Sequence, residues 1–367
     1  MEHVPPQRDL VPVDPVRPSV ERLAELGARL RDGALVAFPT ETVYGLGASI
    51  DRPDALRRIF EVKGRPPTDP LIVHLADPGD LAAGALDAPV SDEAPGGGTA
   101  GLVRDVAPAA IALADAFWPG PLTIVLRRGS RIDDAVSAGG PSVGVRVPAH
   151  PVAAGLIRAA RCPLAAPSAN RFGRISPTSG ADVVDELGRW LGPCDAVLDG
   201  GSTPLGIEST VIDLTGDPTV LRHGGITVDD IESVIGAVHA PERRVVADDQ
   251  AASAPGGLLR HYSPDTPLVL VEGDRRLADE LAAELTERGV IAMVLGLPVE
   301  PTEAARVLYR TLRDADAGSA QVLLAVVVDP VGLGRGVNDR LFRAAHGRVV
   351  DDVTAATVAR VAGLVRT

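Results

Sequence analysis

The spacing of apolar residues over the first 236 positions predicts helices and strands that do not alternate strictly. Leu23, Leu26 and Leu30 predict an amphipathic helix over residues 18 to 31, and an apolar run at 34 to 38 predicts a buried strand that Pro39 ends. Residues 40 to 47, which combine hydroxyl groups, a carboxylate and two glycines, predict a turn. The mixture favours an α+β domain or an α/β domain with a mixed sheet. Further strands are predicted at 71 to 75, 122 to 126, 142 to 147, 164 to 166, 196 to 198, 209 to 214 and 219 to 221, and helices at 53 to 62, 108 to 117, 151 to 160, 180 to 188 and 227 to 236.

The pattern changes after residue 238. Residues 239 to 266 are rich in Pro, Gly, Asp and Ser and show little periodicity, which is typical of a linker. Buried-strand runs at 268 to 271, 290 to 295 and 322 to 328 then alternate with predicted helices at 276 to 288 and 302 to 314, which predicts a parallel α/β domain. We expect a first domain at 1 to 238, the linker at 239 to 266 and a second domain at 267 to 367, with a Gly- and Pro-rich surface insertion at 82 to 101.

Composition limits the class of protein. The 367 residues carry a net charge of −13, which argues against a protein whose main function is to coat nucleic acid, because phosphate binding needs a clustered positive surface. The chain has no apolar run of about 18 residues that would predict a membrane span, and its N-terminal residues lack the apolar core of a signal peptide. We therefore expect a cytoplasmic protein. The two cysteines, Cys162 and Cys194, cannot form a disulfide framework, and we expect both to be buried.

Lysine usage points to one position. Of the 36 basic residues only Lys63 is a lysine, and a coding bias toward arginine does not explain the exception. A compact ammonium is suited to a position where a planar guanidinium would not fit. Lys63 does not stand in a P-loop motif, and Gly332-Leu333-Gly334-Arg335-Gly336 is only weak evidence for a dinucleotide site because the third glycine is misplaced. Any phosphate site therefore uses another arrangement.

Two polar segments are candidates for anion binding. Lys63 and Arg65 are two residues apart and could present both charges to one anion, or they could be solvated surface cations. Ser168 and Asn170 follow a predicted strand, where hydroxyl-rich turns are natural anion sites. For the nearby Thr178 and Ser179 we prefer helix capping by one or the other.

Arg146 is the third candidate, because it stands in a predicted strand between small and apolar neighbours. A buried or half-buried arginine needs an anionic partner. Glu208 could be that partner, and so could the carboxylate of a substrate. The residues alone leave both possibilities open.

Seven motifs in chain order carry a family resemblance. They are Phe38-Pro39-Thr40-Glu41-Thr42-Val43-Tyr44-Gly45-Leu46-Gly47, Lys63-Gly64-Arg65-Pro66, Pro70-Leu71-Ile72-Val73-His74, Trp118-Pro119-Gly120-Pro121-Leu122-Thr123, Arg146-Val147-Pro148, Ala166-Pro167-Ser168-Ala169-Asn170 and Gly206-Ile207-Glu208-Ser209-Thr210-Val211. The set resembles the YrdC-like family of L-threonylcarbamoyladenylate synthases, and the segment His261-Tyr262-Ser263-Pro264 with the last domain resembles its longer, two-domain form. The resemblance implies an open twisted mixed sheet with a concave cleft, followed by a smaller Rossmann-like parallel α/β domain.

The resemblance also implies a reaction and its residues. L-threonine, bicarbonate and ATP with Mg²⁺ would form threonylcarbamoyl-AMP and pyrophosphate, the first step of the t6A modification of tRNA. A downstream transferase would use the product, and we do not expect this chain to bind tRNA strongly. The residues implied to hold L-threonine are Thr40, His74, Arg146, Ala166 and Ser209. Those implied to hold ATP are Lys63, Arg65, Ser142, Ser168, Asn170, Ser176 and Arg222, with His261 and Tyr262 of the linker folding over the nucleotide.

Catalysis would rest on Lys63, Arg65, Ser168 and Asn170 through positioning and charge stabilisation, since no general base and no metal-ligating residue is evident. Two other functions use related folds. One is an RNA-binding factor, which the net charge of −13 disfavours. The other is carbamoyl transfer in hydrogenase maturation, which requires a zinc finger that two isolated cysteines cannot supply.

Overall fold

The computed structural model describes residues 10–84, 100–241 and 261–365. They form two compact units, which are described separately. The first unit comprises Met1–Phe172 and Ser176–Gly257, and the second comprises Gly173–Ile175 and Leu258–Thr367. Most of the predicted insertion and residues 242–260 of the predicted linker lie outside the described residues.

The first unit contains eight helices and eleven strands among the described residues. The helices are α1 (Val20–Arg31), α2 (Pro53–Lys63), α3 (Asp80–Gly84), α4 (Pro108–Phe117), α5 (Asp134–Ser137), α6 (Pro151–Ala160), α7 (Gly180–Leu187) and α8 (Val228–Ile235). The strands are β1 (Leu10–Pro12), β2 (Val36–Phe38), β3 (Gly45–Ser49), β4 (Ile72–His74), β5 (Val103–Arg104), β6 (Leu122–Arg128), β7 (Ser142–Arg146), β8 (Leu164–Ala165), β9 (Ala196–Asp199), β10 (Thr210–Asp213) and β11 (Thr219–Arg222).

These strands form one open mixed sheet in the order β1-β9-β2-β3-β8-β4-β7-β6-β10-β11, and β5 pairs with β6 at its side. Pairing is parallel between β4 and β7 and between β6 and β10, and antiparallel between β3 and β8 and between β4 and β8. The predicted mixed α/β sheet is confirmed. Ser179 caps the N-terminus of α7 through a capping box, as expected.

Side chains alternate between the two faces of the sheet along each strand, and the core to which alternate residues belong shows what each face packs against. Leu35, directly before β2, and Ala37 on β2 belong to the main apolar core, whereas Val36 and Phe38 belong to a second core packed under α1 and α6. On β4 and β7, Val73, Val143 and Val145 point into the main core. The residues that alternate with these valines must therefore face the other side of the sheet. They are His74 on β4 and Ser142, Gly144 and Arg146 on β7.

The second unit contains a four-stranded parallel sheet in the order β13 (Ala292–Val294), β14 (Val322–Val326), β12 (Leu268–Val271) and β15 (Val349–Val350). This sheet confirms the predicted parallel α/β domain. Its apolar core is built from alternate strand residues such as Val269 and Val271 together with Leu281 and Leu285 of the second unit's first helix. In the part of the chain that the structure describes, no helix is long and apolar enough to cross a membrane. The elements are β12 (Leu268–Val271), α9 (Arg275–Glu287), β13 (Ala292–Val294), α10 (Pro301–Asp316), β14 (Val322–Val326), α11 (Gly334–Ala344), β15 (Val349–Val350) and α12 (Ala355–Ala362).

Candidate active site

The polar residues that the motifs singled out on β4 and β7 share the sheet face opposite the main core. Gly144 keeps the space between Ser142 and Arg146 open, because a Cβ atom there would lie 3.1 Å from Cγ2 of Thr123. Ser142 is half-buried, whereas His74 and Arg146 are almost fully buried. A polar, water-poor surface on a sheet is a setting in which charges interact strongly.

Arg146 is held by three acceptors. Its Nε donates to the carbonyl of Gly120 at 3.2 Å, and its Nη2 donates to Oε1 of Glu41 at 2.6 Å and to Oγ1 of Thr42 at 3.0 Å. The side chain is only 5% exposed. Among the described residues, Nη1 has no protein partner. A buried guanidinium with one unused nitrogen is suited to a ligand carboxylate.

The sequence left open whether Glu208 or a substrate carboxylate is the partner of Arg146, and the structure shows that the first interpretation is wrong. Glu208 is not the partner: its Oε1 accepts a hydrogen bond from Ser176 Oγ at 2.6 Å. Glu41 takes that position instead, although it lies 105 residues away along the chain. Glu41 was visible as the carboxylate of a hydroxyl-rich turn, but nothing in the spacing linked it to Arg146.

The turn that carries Glu41 is ordered by its own hydroxyl groups. Thr40 Oγ1 donates to the carbonyl of Val43 at 2.6 Å and lies 2.7 Å from Oγ1 of Thr42. The backbone of Glu41 is fixed as well, since its carbonyl accepts from the amide of Leu205 at 3.0 Å. The turn therefore presents Glu41 in a fixed position.

His74 lies beside Arg146 in the β4–β7 ladder and is buried. Burial lowers the pKa of His74 to about 3, and the positive charge of Arg146 contributes. The ring is therefore neutral at physiological pH, and its Nδ1 lies 3.2 Å from the carbonyl of Ile72.

Lys63, the last residue of α2, is 1% exposed, which excludes the interpretation as a solvated surface cation. Its Nζ donates to the carbonyls of Ser168 and Asn170, each at 2.5 Å. Both acceptors are neutral, and the described residues place no carboxylate in contact with this ammonium. Burial lowers the pKa of Lys63 well below that of free lysine, and Arg65 lowers it further. One N–H remains available for a third acceptor.

Arg65 is also buried, so it is not a solvated cation either. Its Nε and Nη2 donate to the carbonyls of Asp69 and Pro70 at 3.0 and 2.7 Å, and Nη2 forms an ion pair with the Asp69 carboxylate at 3.0 Å. Burial raises the pKa of Asp69, although the charges of Arg65, Lys63 and Arg222 oppose the shift. The two cations of the Lys63-x-Arg65 motif and Asp69 thus form one buried charge cluster.

Arg171 and Phe172 link the segment that follows Asn170 to the end of α2, which carries Lys63. It follows Asn170 directly, and its Nη1 donates to the carbonyl of Val62 at 2.7 Å at the end of α2. The amide of Phe172 donates to the carbonyl of Lys63 at 2.8 Å. Gly64 between the cations has a φ of 60°, and a Cβ there would lie 2.6 Å from Nη2 of Arg171. The backbone conformation favours glycine, whereas the atom that a Cβ would meet is the terminal nitrogen of a flexible side chain.

Ser209 contacts one residue of β6 and one residue of β11. Its Oγ lies 2.8 Å from Oγ1 of Thr123 and accepts from Nη2 of Arg222 at 3.0 Å. Ala166 is buried, and its amide donates to the carbonyl of Ile72 at the start of β4. Ser209 directly precedes β10 and Ala166 directly follows β8, with β4, β7 and β6 between these two strands, and the roles of both residues in binding remain predictions.

His261 and Tyr262 belong to the second unit. Both are buried, with ring centroids 4.1 Å apart, and Tyr262 has a φ of 61° and stacks on Tyr309. Their proposed contact with ATP remains a prediction. The expected burial of both cysteines is wrong in one case, since Cys162 is buried but Cys194 is exposed.

A buried guanidinium with one nitrogen free of protein contacts among the described residues and a second cluster of buried cations make the first unit an α/β domain with two candidate anion subsites. Residues 28–224 match the family of Sua5, YciO and YrdC proteins, whose description is "Telomere recombination". Residues 226–346 match the C-terminal domain of threonylcarbamoyl-AMP synthase.

Proteins of known name agree with the family models. The chain is 38% identical to the threonylcarbamoyl-AMP synthase of Pyrococcus abyssi and 36% identical to that of Bacillus subtilis, in each case over 90% of this chain and over 97% and 94% of the relatives. It resembles the crystal structure of P. abyssi Sua5 complexed with L-threonine with a TM-score of 0.83 and 37% identity, over 93% of this chain and 99% of that one. The chain belongs to the Sua5/YciO/YrdC family of enzymes, in the two-domain form, which confirms the resemblance seen in the motifs.

Proposed function

We propose that this chain is a threonylcarbamoyl-AMP synthase, which condenses L-threonine, bicarbonate and ATP into threonylcarbamoyl-AMP and releases pyrophosphate. The names of its relatives support this reaction, and so does the P. abyssi structure with L-threonine. The observation that carries the proposal is Arg146, whose buried guanidinium retains one nitrogen for a ligand carboxylate. The product would serve the t6A modification of tRNA through a separate transferase.

The threonine half of the proposal rests on Arg146. The α-carboxylate would pair with Nη1, and the neutral His74 beside it would add no competing charge. Thr40, Ala166 and Ser209 would complete the subsite. The amine would attack the carbon of bicarbonate or carbon dioxide, forming an N–C bond and losing a proton. From bicarbonate, the departing hydroxide takes up the proton that the amine loses and leaves as water.

The nucleotide half rests on the charge cluster of Lys63 and Arg65. The carbamate oxygen would attack the α-phosphorus of ATP, and the bond from that phosphorus to the bridging oxygen of pyrophosphate would break. Lys63 would meet the developing negative charge with its remaining N–H, which is worth most in a site that excludes water. Ser142, Ser168, Asn170, Ser176 and Arg222 would hold the rest of the nucleotide.

We propose that ATP is used as its Mg²⁺ complex. Among the described residues, no group of three His, Cys, Asp or Glu side chains could hold a metal ion. Phosphate oxygens and water would therefore supply the ligands of Mg²⁺, as is common for nucleotide-bound magnesium. His261 and Tyr262 are proposed to cover the nucleotide, which would protect the carbamate from water.

The test is pyrophosphate release by the purified full chain with Mg²⁺-ATP and bicarbonate, with and without L-threonine. We expect release that depends on threonine, together with a nucleotide product that has the mass of threonylcarbamoyl-AMP. Arg146→Ala serves as the matched variant and should lose the dependence. An inactive wild-type protein that binds RNA tightly would instead favour the RNA-binding alternative.

A further inference from the structure

The carboxylate of Glu41 shares a guanidinium with the proposed ligand carboxylate. Glu41 Oε1 accepts from Nη2 of Arg146 at 2.6 Å, and the proposed substrate carboxylate would take Nη1 of the same group. Any ligand of Arg146 thus places its carboxylate close to an existing one. This inference rests on the proposed function, because it concerns how the threonine subsite selects its ligand.

Glu41 is built into the site before any ligand arrives. Its Oε2 accepts from the amide of Ala149 at 3.1 Å, its backbone is fixed through Leu205, and its side chain is only 13% exposed. A carboxylate offers about four acceptor positions, and the described contacts use two of them. Glu41 can therefore accept further hydrogen bonds from a ligand without moving.

Charge decides which ligands this arrangement accepts. Arg146 and Glu41 together are close to neutral, so a simple carboxylic acid would bring an uncompensated negative charge beside Glu41 in a poorly hydrated site. An α-amino acid carries an ammonium next to its carboxylate, and that ammonium can donate to Glu41. His74 cannot supply the missing positive charge, because its ring is neutral at physiological pH.

We propose that Glu41 is a specificity-determining residue that accepts the α-ammonium of the substrate, so that the site selects amino acids over the same carboxylic acids without the amino group. Glu41 would also hold the amine beside the point where the N–C bond forms.

The experiment measures dissociation constants of the full chain for L-threonine and for (R)-3-hydroxybutyrate, which is threonine without its amino group, by calorimetry. Glu41→Gln keeps the size of the side chain and an oxygen for Arg146 but removes the charge. We expect the preference for threonine over the hydroxy acid to fall by roughly 10- to 150-fold, the effect of losing one hydrogen bond to a charged group. Glu41→Asp, which keeps the charge, should retain most of the preference.

Thr42→Val is the matched control. Thr42 Oγ1 accepts from the same Nη2 as Glu41, so this variant disturbs the orientation of Arg146 without a change of charge. It should weaken both ligands alike and leave their ratio unchanged. An unchanged ratio in Glu41→Gln, or an equal loss of the ratio in Thr42→Val, would overturn the proposal. Failure of the wild-type chain to bind threonine would instead count against the proposed function itself.

Discussion

His74 makes the stability of the first unit depend on pH in a way that can be calculated. Burial and the charge of Arg146 lower its pKa to about 3 in the folded chain, whereas an unfolded histidine has a pKa of about 6.5. Below about pH 6.5 His74 is therefore protonated in the unfolded state, whereas in the folded state it stays neutral down to about pH 3. The free energy of unfolding must fall as the pH decreases through this interval.

The gap of about 3.5 pH units corresponds to about 5 kcal/mol in total, of which about 2 kcal/mol falls between pH 7 and pH 5. Replacement of His74 by leucine removes this contribution. The variant differs from the wild type in absolute stability, since leucine loses the contact with the carbonyl of Ile72. Only the change in stability with pH is compared.

Urea unfolding followed by tryptophan fluorescence measures the right part of the chain. The two tryptophans, Trp118 and Trp190, both lie in the first unit. We expect the wild-type unit to lose about 2 kcal/mol more than His74→Leu between pH 7 and pH 5. His239→Gln, at an exposed histidine, should behave as the wild type. Equal losses in the wild type and His74→Leu would refute the reasoning, because every other titrating group is common to both.

Three further predictions concern the site. Lys63→Ala should lower kcat for pyrophosphate release by about 10²- to 10³-fold or more with an unchanged circular dichroism spectrum, and near-normal turnover would remove Lys63 from the site. Gly64→Ala should raise the KM for ATP, because Arg171 must shift, and should destabilise the first unit by about 1 to 2 kcal/mol, the cost of a left-handed alanine. Gly139→Ala, which has a positive φ and open space, should lose a similar free energy of unfolding without a change in KM, and an equal rise in KM in both variants would refute the role of Arg171. Selection of threonine over serine rests on one methyl group, worth about 1 to 3 kcal/mol, so a ratio of kcat/KM values above about 10⁴ would contradict this expectation.

The sequence predicted most of the elements that carry a strong apolar period. The strand at 268 to 271 and the helix at 108 to 117 agree with β12 and α4 at both ends. These segments were predictable because a face or a whole run is buried and local spacing alone reports it. Short edge strands such as β1, β5 and β15 have too few residues to show a period.

The strand β3 was missed for a different reason. It contains Gly45 and Gly47, and glycines lower the intrinsic preference for a strand, so the segment was predicted to be a turn. The structure needs glycine there because the ring of Phe38 on β2 lies where a Cβ of Gly47 would be, 2.7 Å from Cε1. Close packing between neighbouring strands outweighs propensity, and a single sequence does not show which ring approaches which glycine.

The sequence showed which residues belong to the candidate site, but not which of them contact each other. Lys63, Arg65, Arg146 and Asn170 were identified from motifs, and the structure buries all four in the first unit. The partner of Arg146 could not be found, since Glu41 and Glu208 are both distant in sequence and both follow polar turns. Chain separation carries no information about contact once the sheet has folded.

The places where local rules fail lie together around the anion subsites. Lys63 is a buried lysine held by carbonyls alone, and Arg146 keeps a nitrogen without a protein partner among the described residues. Each of these features costs stability in the absence of a ligand, because buried charge is poorly hydrated and only partly compensated. Such local conflicts are expected where ligand binding, and not folding alone, has shaped the sequence, since an anionic ligand completes the contacts that the fold leaves open.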